Sequence, residues 1–257
     1  MCGKIKNKMD KLHIKLIFIG MGVLSIIIIV LLNWYFISSA KKPTTSTNNA
    51  TQESSSLATS AKFPKKAFFI HHSTGEIYWN GGMEKALVDA GYETAAPWWD
   101  PETNPPDFYN GFTDPNQWDL LKPYSIIIFK SCFPASDITS DEMLEEYKTY
   151  YNQLYEIYEK YPDKLFVPLS TPPLLKNHTT AEAAQRALAF EDWLVGEYKD
   201  KYPGHNLAPF KLHSLLSDSE GFLKSDFIAS EDDDHPNANS GAVVGPALVN
   251  HLKPFVK

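Results

Sequence analysis

Asp232-Asp233-Asp234-His235-Pro236-Asn237 sets carboxylates one to three residues before an imidazole in a short polar segment. An imidazole works as a general base when an acceptor holds its other ring nitrogen, so either Asp232 or Asp233 could orient His235. A base needs a nucleophile to deprotonate. The candidate is Ser73 in Phe68-Phe69-Ile70-His71-His72-Ser73-Thr74-Gly75, where a short apolar run stops at His-His-Ser and a Gly follows. A Ser between strand and helix has its N–H at the positive end of the helix dipole, a donor for a developing oxyanion. The plainer reading is that Ser73 only caps the helix. His71 and His72 suggest a metal pair beside the aspartates, yet neighbours on a strand point to opposite faces, so no metal site is expected. His72 is placed beside Ser73 in the pocket, and no cofactor is implied.

The elements that must carry these residues lie in the last three quarters of the chain. Leu16 to Ile37 is a 22-residue apolar run, about the 20 residues needed to span a bilayer. Small residues at Ser38-Ser39-Ala40 offer a cleavable signal peptide as the competing reading, but such peptides have apolar cores of about 7–15 residues. Residues 16–38 are therefore expected to be an uncleaved signal anchor. Five lysines in residues 1–15 against two close behind the span keep the N-terminus cytoplasmic and the rest outside. Residues 39–66 form a Ser/Thr-rich tract with too little apolar surface to fold, a flexible linker. Residues 67–257 make one domain. Cys132 is its only cysteine, so no disulfide forms within it. It carries 14 basic and 29 acidic residues, which excludes nucleic acid as a partner and favours neutral substrates such as esters or glycans.

Within it, short apolar runs alternate with helical patterns. Strands are expected at Ala67–Ile70, Tyr92–Ala96, Tyr124–Phe129, Lys164–Leu169 and near Phe210–His213. Capping boxes at Thr139/Glu142 and Thr179/Glu182 open helices, the first with Leu144, Tyr147, Tyr151, Leu154 and Tyr158 along its buried face. Ala242–Val256 predicts a last helix interrupted by Pro246. Strands separated by helices give a mostly parallel three-layer α/β sheet with its site at the carboxyl edge. Between Pro97 and Pro123 a long loop holds Trp98, Trp99, Phe108, Phe112 and Trp118. Trp98 and Trp99 are candidates for stacking on sugar rings or acyl chains at the rim; packing of the loop on the domain is the alternative.

Ser73 after the first strand, with Asp232-x-x-His235-Pro236-Asn237, Ser240-Gly241 and a closing apolar helix, resembles the SGNH/GDSL hydrolase superfamily. The first block departs from the family's Gly-Asp-Ser and reads His71-His72-Ser73. The resemblance implies a flavodoxin-like sheet and a catalytic triad of Ser73, His235 and Asp232. It assigns Gly111 as an oxyanion donor and sets Ser136 where the family has an oxyanion Asn. The implied function is a membrane-anchored extracytoplasmic esterase or deacylase acting on a small-molecule or glycan ester, O-acetylated glycan included. A non-catalytic glycan-binding or envelope-assembly module on the same fold is the alternative, with a metal-dependent phosphoesterase after it.

Overall fold

The computed structural model describes residues 62–97, 99 and 102–257. The expected cytoplasmic segment, the anchor at 16–38 and most of the linker lie outside the described residues. Among the described residues no helix is long and apolar enough to cross a membrane.

The chain runs β1 (Lys66–Ile70), α1 (Ser73–Tyr78), a wide helical turn Trp79–Met83, α2 (Glu84–Asp89) and β2 (Glu93–Ala95). It continues through α3 (Asp107–Thr113), α4 (Pro115–Leu121), β3 (Ile126–Lys130), α5 (Asp141–Gln153), α6 (Tyr155–Lys160) and β4 (Leu165–Leu169). Then come α7 (Ala181–Trp193), α8 (Lys199–Lys201), α9 (His213–Leu216), the hairpin β5 (Ile228–Ser230) and β6 (Asp233–Pro236), and α10 (Asn239–Leu252). The main sheet has the order β2-β1-β3-β4, every pair parallel. Phe69, Ile128 and Val167 stand side by side across it. The strands are near-continuous apolar runs because both faces are covered.

Alternate residues feed two cores. Phe68, Ile70, Ile127, Phe129 and Phe166 face an aromatic layer that includes Tyr151, Tyr158, Phe190 and Tyr198. Ala67, Phe69, Ile126, Ile128, Val167 and Leu169 face α1, α2 and α10. This is the expected three-layer arrangement.

The strand expected near Phe210 is displaced and irregular. Residues 206–210 run beside β4 with bridges at Leu207 and Phe210, and Phe210 N donates to Pro168 O at 2.9 Å. Pro168 has no N–H to return to Ala208 O, so the ladder breaks there. His251 Nε2 donates to Ala208 O instead, at 3.1 Å. Both expected capping boxes are one residue late: Ser140 Oγ accepts from Met143 N, and Thr180 Oγ1 accepts from Ala183 N. Thr179 is thereby released to donate to Asp137 Oδ1 at 2.7 Å. Pro246 lies inside an unbroken α10, against the expected interruption.

The expected loop between Pro97 and Pro123 contains two helices. Asp114 caps the second by accepting from Asn116 N at 2.7 Å, with Pro115 in its first position. Phe108, Phe112 and Trp118 are buried core residues. At the other end, Phe63 lies in the stretch read as linker, yet it is buried and its N donates to Phe255 O at 2.8 Å. The packed chain therefore begins a few residues before 67.

Candidate active site

Ser73 follows the carboxyl end of β1 through His71 and the extended His72 and opens α1. Its Oγ lies 3.3 Å from Cys132 Sγ, which follows β3. Gly75 must lack a side chain: a Cβ there would fall 2.3 Å from His71 Cβ.

The two histidines go opposite ways. His71 is buried, its ring stacked on Phe69 at 4.8 Å. Burial, and secondarily the Lys130 ammonium, push its pKa down to about 4, so it is neutral at pH 7. His72 Nε2 donates to Trp99 O while Nδ1 accepts from Thr103 Oγ1 at 3.4 Å. His72 thus ties down the loop after β2.

The aspartate run forms one side of the β5–β6 hairpin, with each carboxylate turned to a different task. Asp233 Oδ1 accepts from His235 Nδ1 at 2.6 Å and from His235 N at 3.0 Å. The hydrogen bonds from His235 hold the Asp233 carboxyl below the usual range. Asp234 accepts from Leu175 N at 2.8 Å and from His178 Nδ1 at 3.0 Å. Asp232 is exposed, and its N donates to Ser230 Oγ. The carboxylate bonded to the His235 ring is Asp233 and not the expected Asp232. The reason is the two-residue period of a strand: 233 and 235 share a side, whereas 232 precedes the strand in the opposite phase. A carboxylate only accepts, so the proton of His235 sits on Nδ1 and the Nε2 lone pair is left for base work. Phe133 meets the His235 ring edge-on at 5.0 Å.

Close backbone packing joins the serine and histidine halves. α1 packs against β6, and α10 packs on α1, the wide turn and α2. A Cβ on Gly241 would lie 2.3 Å from Tyr78 O, and one on Gly81 would lie 2.4 Å from Ala238 O. Only glycine lets the helix that follows the Asp/His hairpin lie this near the helix that carries Ser73.

Other expected pocket residues lie elsewhere. Gly111 is inside α3 against the Trp99 indole, where helical bonding occupies its N–H. Trp99 is core, edge-on to Phe68, so neither is a rim residue. Ser136 is buried with its hydroxyl unpartnered in the Phe133–Ser136 turn. Trp98 lies outside the described residues. Two residues missed in the sequence stand at the centre instead: Cys132 and Lys130, the latter fully buried with no hydrogen-bond partner for Nζ. Burial lowers the Lys130 pKa to about 8. The available signal was a lysine closing an apolar run that must be covered on both faces. A cleft of about 740 Å³ opens on the Asp234 side of the hairpin, between Leu175–Asn177 and Phe222–Asp226; neither Ser73 nor His235 lines it.

No protein-family model matches the chain, and no curated protein matches it. Solved structures do. A provisionally named acylhydrolase from Bacteroides fragilis aligns with a TM-score of 0.53 at 13% identity, over 83% of this chain and 100% of that one. A provisionally named lipolytic protein of the G-D-S-L family from Desulfitobacterium hafniense gives 0.52 at 12%, over 73% and 99%. The chain has the SGNH/GDSL hydrolase fold. A family two carbohydrate esterase from Clostridium thermocellum, solved in complex with cellohexaose, shares this fold at a TM-score of 0.52 and 12% identity, over 75% of this chain and 65% of that one.

Proposed function

We propose that the protein is a membrane-anchored, extracytoplasmic serine esterase. The observation that carries this reading is the His235 imidazole, bonded through Nδ1 to Asp233 on a strand packed against the helix that Ser73 opens. Ser73 Oγ attacks the ester carbonyl as His235 Nε2 takes its proton, and Asp233 stabilises the imidazolium. The Ser73 N–H, in a first turn with no helical carbonyl four residues back, donates to the oxyanion. The alcohol leaves with the proton from His235. Water then hydrolyses the acyl-enzyme with the same base, returning Ser73.

A neutral glycan ester, O-acetylated glycan above all, is the proposed substrate class. The acidic balance of residues 67–257 disfavours polyanions, and the fold is shared with a carbohydrate esterase captured with cellohexaose. The apolar span at 16–37 supplies the anchor. The test is turnover of p-nitrophenyl acetate and of acetylated oligosaccharide by the full chain and by Ser73→Ala. Equal acetate release from both proteins would reject the reading.

A further inference from the structure

Cys132 is half-buried at the mouth of the site, its sulfur 3.3 Å from Ser73 Oγ. Residue 132 is extended and two positions beyond Lys130, so both side chains leave the same side of the chain. The sulfur is near enough to act electrostatically on the Lys130 ammonium. That ammonium is fully buried, and its Nζ has no acceptor. A buried cation without an acceptor is costly. The neighbouring imidazole, His71, is held neutral and also leaves Nδ1 unpartnered. Nearby, Asp233 and His235 are bonded to each other, and the His235 ring lies against Phe133, the residue after Cys132. This end of β3 therefore holds a donor with no oxygen to receive its hydrogen bond, beside a half-buried sulfur that touches the serine.

We propose that Cys132 is a modification site for hydroperoxides, and that its sulfenic acid shuts the Ser73 site. The sulfur attacks one peroxide oxygen: an S–O bond forms, the O–O bond breaks, and the thiol proton goes to the leaving oxygen. Cys–SH and ROOH give Cys–SOH and ROH, sulfur losing two electrons and the peroxide gaining them. The new oxygen accepts from Lys130 Nζ and fills the space in front of Ser73 Oγ. A small thiol reverses the change, first forming a mixed disulfide and water, then restoring Cys132 with a second thiol. The consequence for activity rests on Ser73 being the nucleophile; the modification itself does not.

The only other cysteine is Cys2, so the test uses the full chain carrying Cys2→Ser, treated with hydrogen peroxide. Dimedone trapping with peptide mass mapping reads the sulfenic acid, and a fluorophosphonate probe reads Ser73. The expected result is a dimedone adduct on Cys132 and about a tenfold loss of probe labelling, regained after dithiothreitol. Cys132→Ala should keep its own untreated labelling level after peroxide. In Lys130→Met the adduct yield should fall about fivefold at equal peroxide. If that variant does not fold, the parent and Cys132→Ala results decide. No adduct on Cys132, or an adduct with labelling undiminished, overturns the proposal. A Cys132 adduct on a protein that the probe never labels overturns the esterase reading while the modification site stands.

Discussion

The two faces of the sheet solve different problems. On one, rings fill the layer: Phe129 meets Phe108 at 4.9 Å and Phe112 at 5.3 Å, and Tyr151 meets Phe190 at 5.1 Å, all edge-on. On the other, α10 approaches the end of α1 and the wide turn through glycines, and His71, Ser73 and Lys130 lie at the carboxyl ends of β1 and β3. The aromatic face removes large apolar surfaces from water and tolerates small adjustments of ring angle. The glycine face fixes backbone against backbone, leaving no side chain to absorb a shift. Stability and site geometry are therefore stored on opposite faces, and each can be perturbed separately.

The largest expected effect is on the rate. Asp233→Asn should lower ester turnover on the order of 10⁴-fold, because the imidazole loses its tautomer control and its counter-charge. Asp232→Asn should stay near the parent, and steady-state kinetics on both variants check this. Neither should change the unfolding free energy from urea titration by more than about 1 kcal/mol, since these carboxylates are solvent-exposed. Across the sheet the pattern reverses: Phe129→Ala should cost about 3–5 kcal/mol in urea unfolding, while the remaining folded protein keeps its probe reactivity.

Gly241→Ala should do both. Its new methyl would sit 2.3 Å from Tyr78 O, so about 1–3 kcal/mol of stability is lost as α10 moves, and probe labelling falls further than stability alone explains. Acid attacks the same face. His71 protonates near pH 6.5 when unfolded but near 4 when folded, so the unfolded chain binds more protons between those values. Its burial is unopposed above pH 6.5 and loses stability as pH falls toward 4. From pH 7 to 5 the share of the loss due to His71 should be about 2 kcal/mol, and His71→Gln should remove that share in urea titrations while buried His213 and His251, also held below the usual histidine range, keep theirs. The smallest effect is Gly196→Ala, where a Cβ meets nothing within 4 Å; stability should hold or rise by up to about 1 kcal/mol.

The apolar runs at 67–70, 126–129 and 165–169 were legible because a parallel sheet buries both sides of each strand. The site was legible in part. Ser73 and His235 stand out by residue type, but the choice among Asp232, Asp233 and Asp234 depends on the phase of a strand that a polar, turn-like segment conceals. Lys130 and Cys132 continue β3 into the site, and composition alone reads a lysine as a surface residue. The helices at 107–121 were hidden because prolines and acids read as loop, although Asp114-Pro115 is itself a helix start. For the displaced last strand the deciding interactions are tertiary: it depends on a proline in its neighbour and on His251 from another helix.

The most direct measurement is fluorophosphonate labelling of the folded full-length protein followed by peptide mapping. One adduct is expected, on Ser73, that is lost in Ser73→Ala and strongly reduced in His235→Ala. A folded protein that takes no label, or that carries it on Ser131 or Ser136, would contradict this expectation.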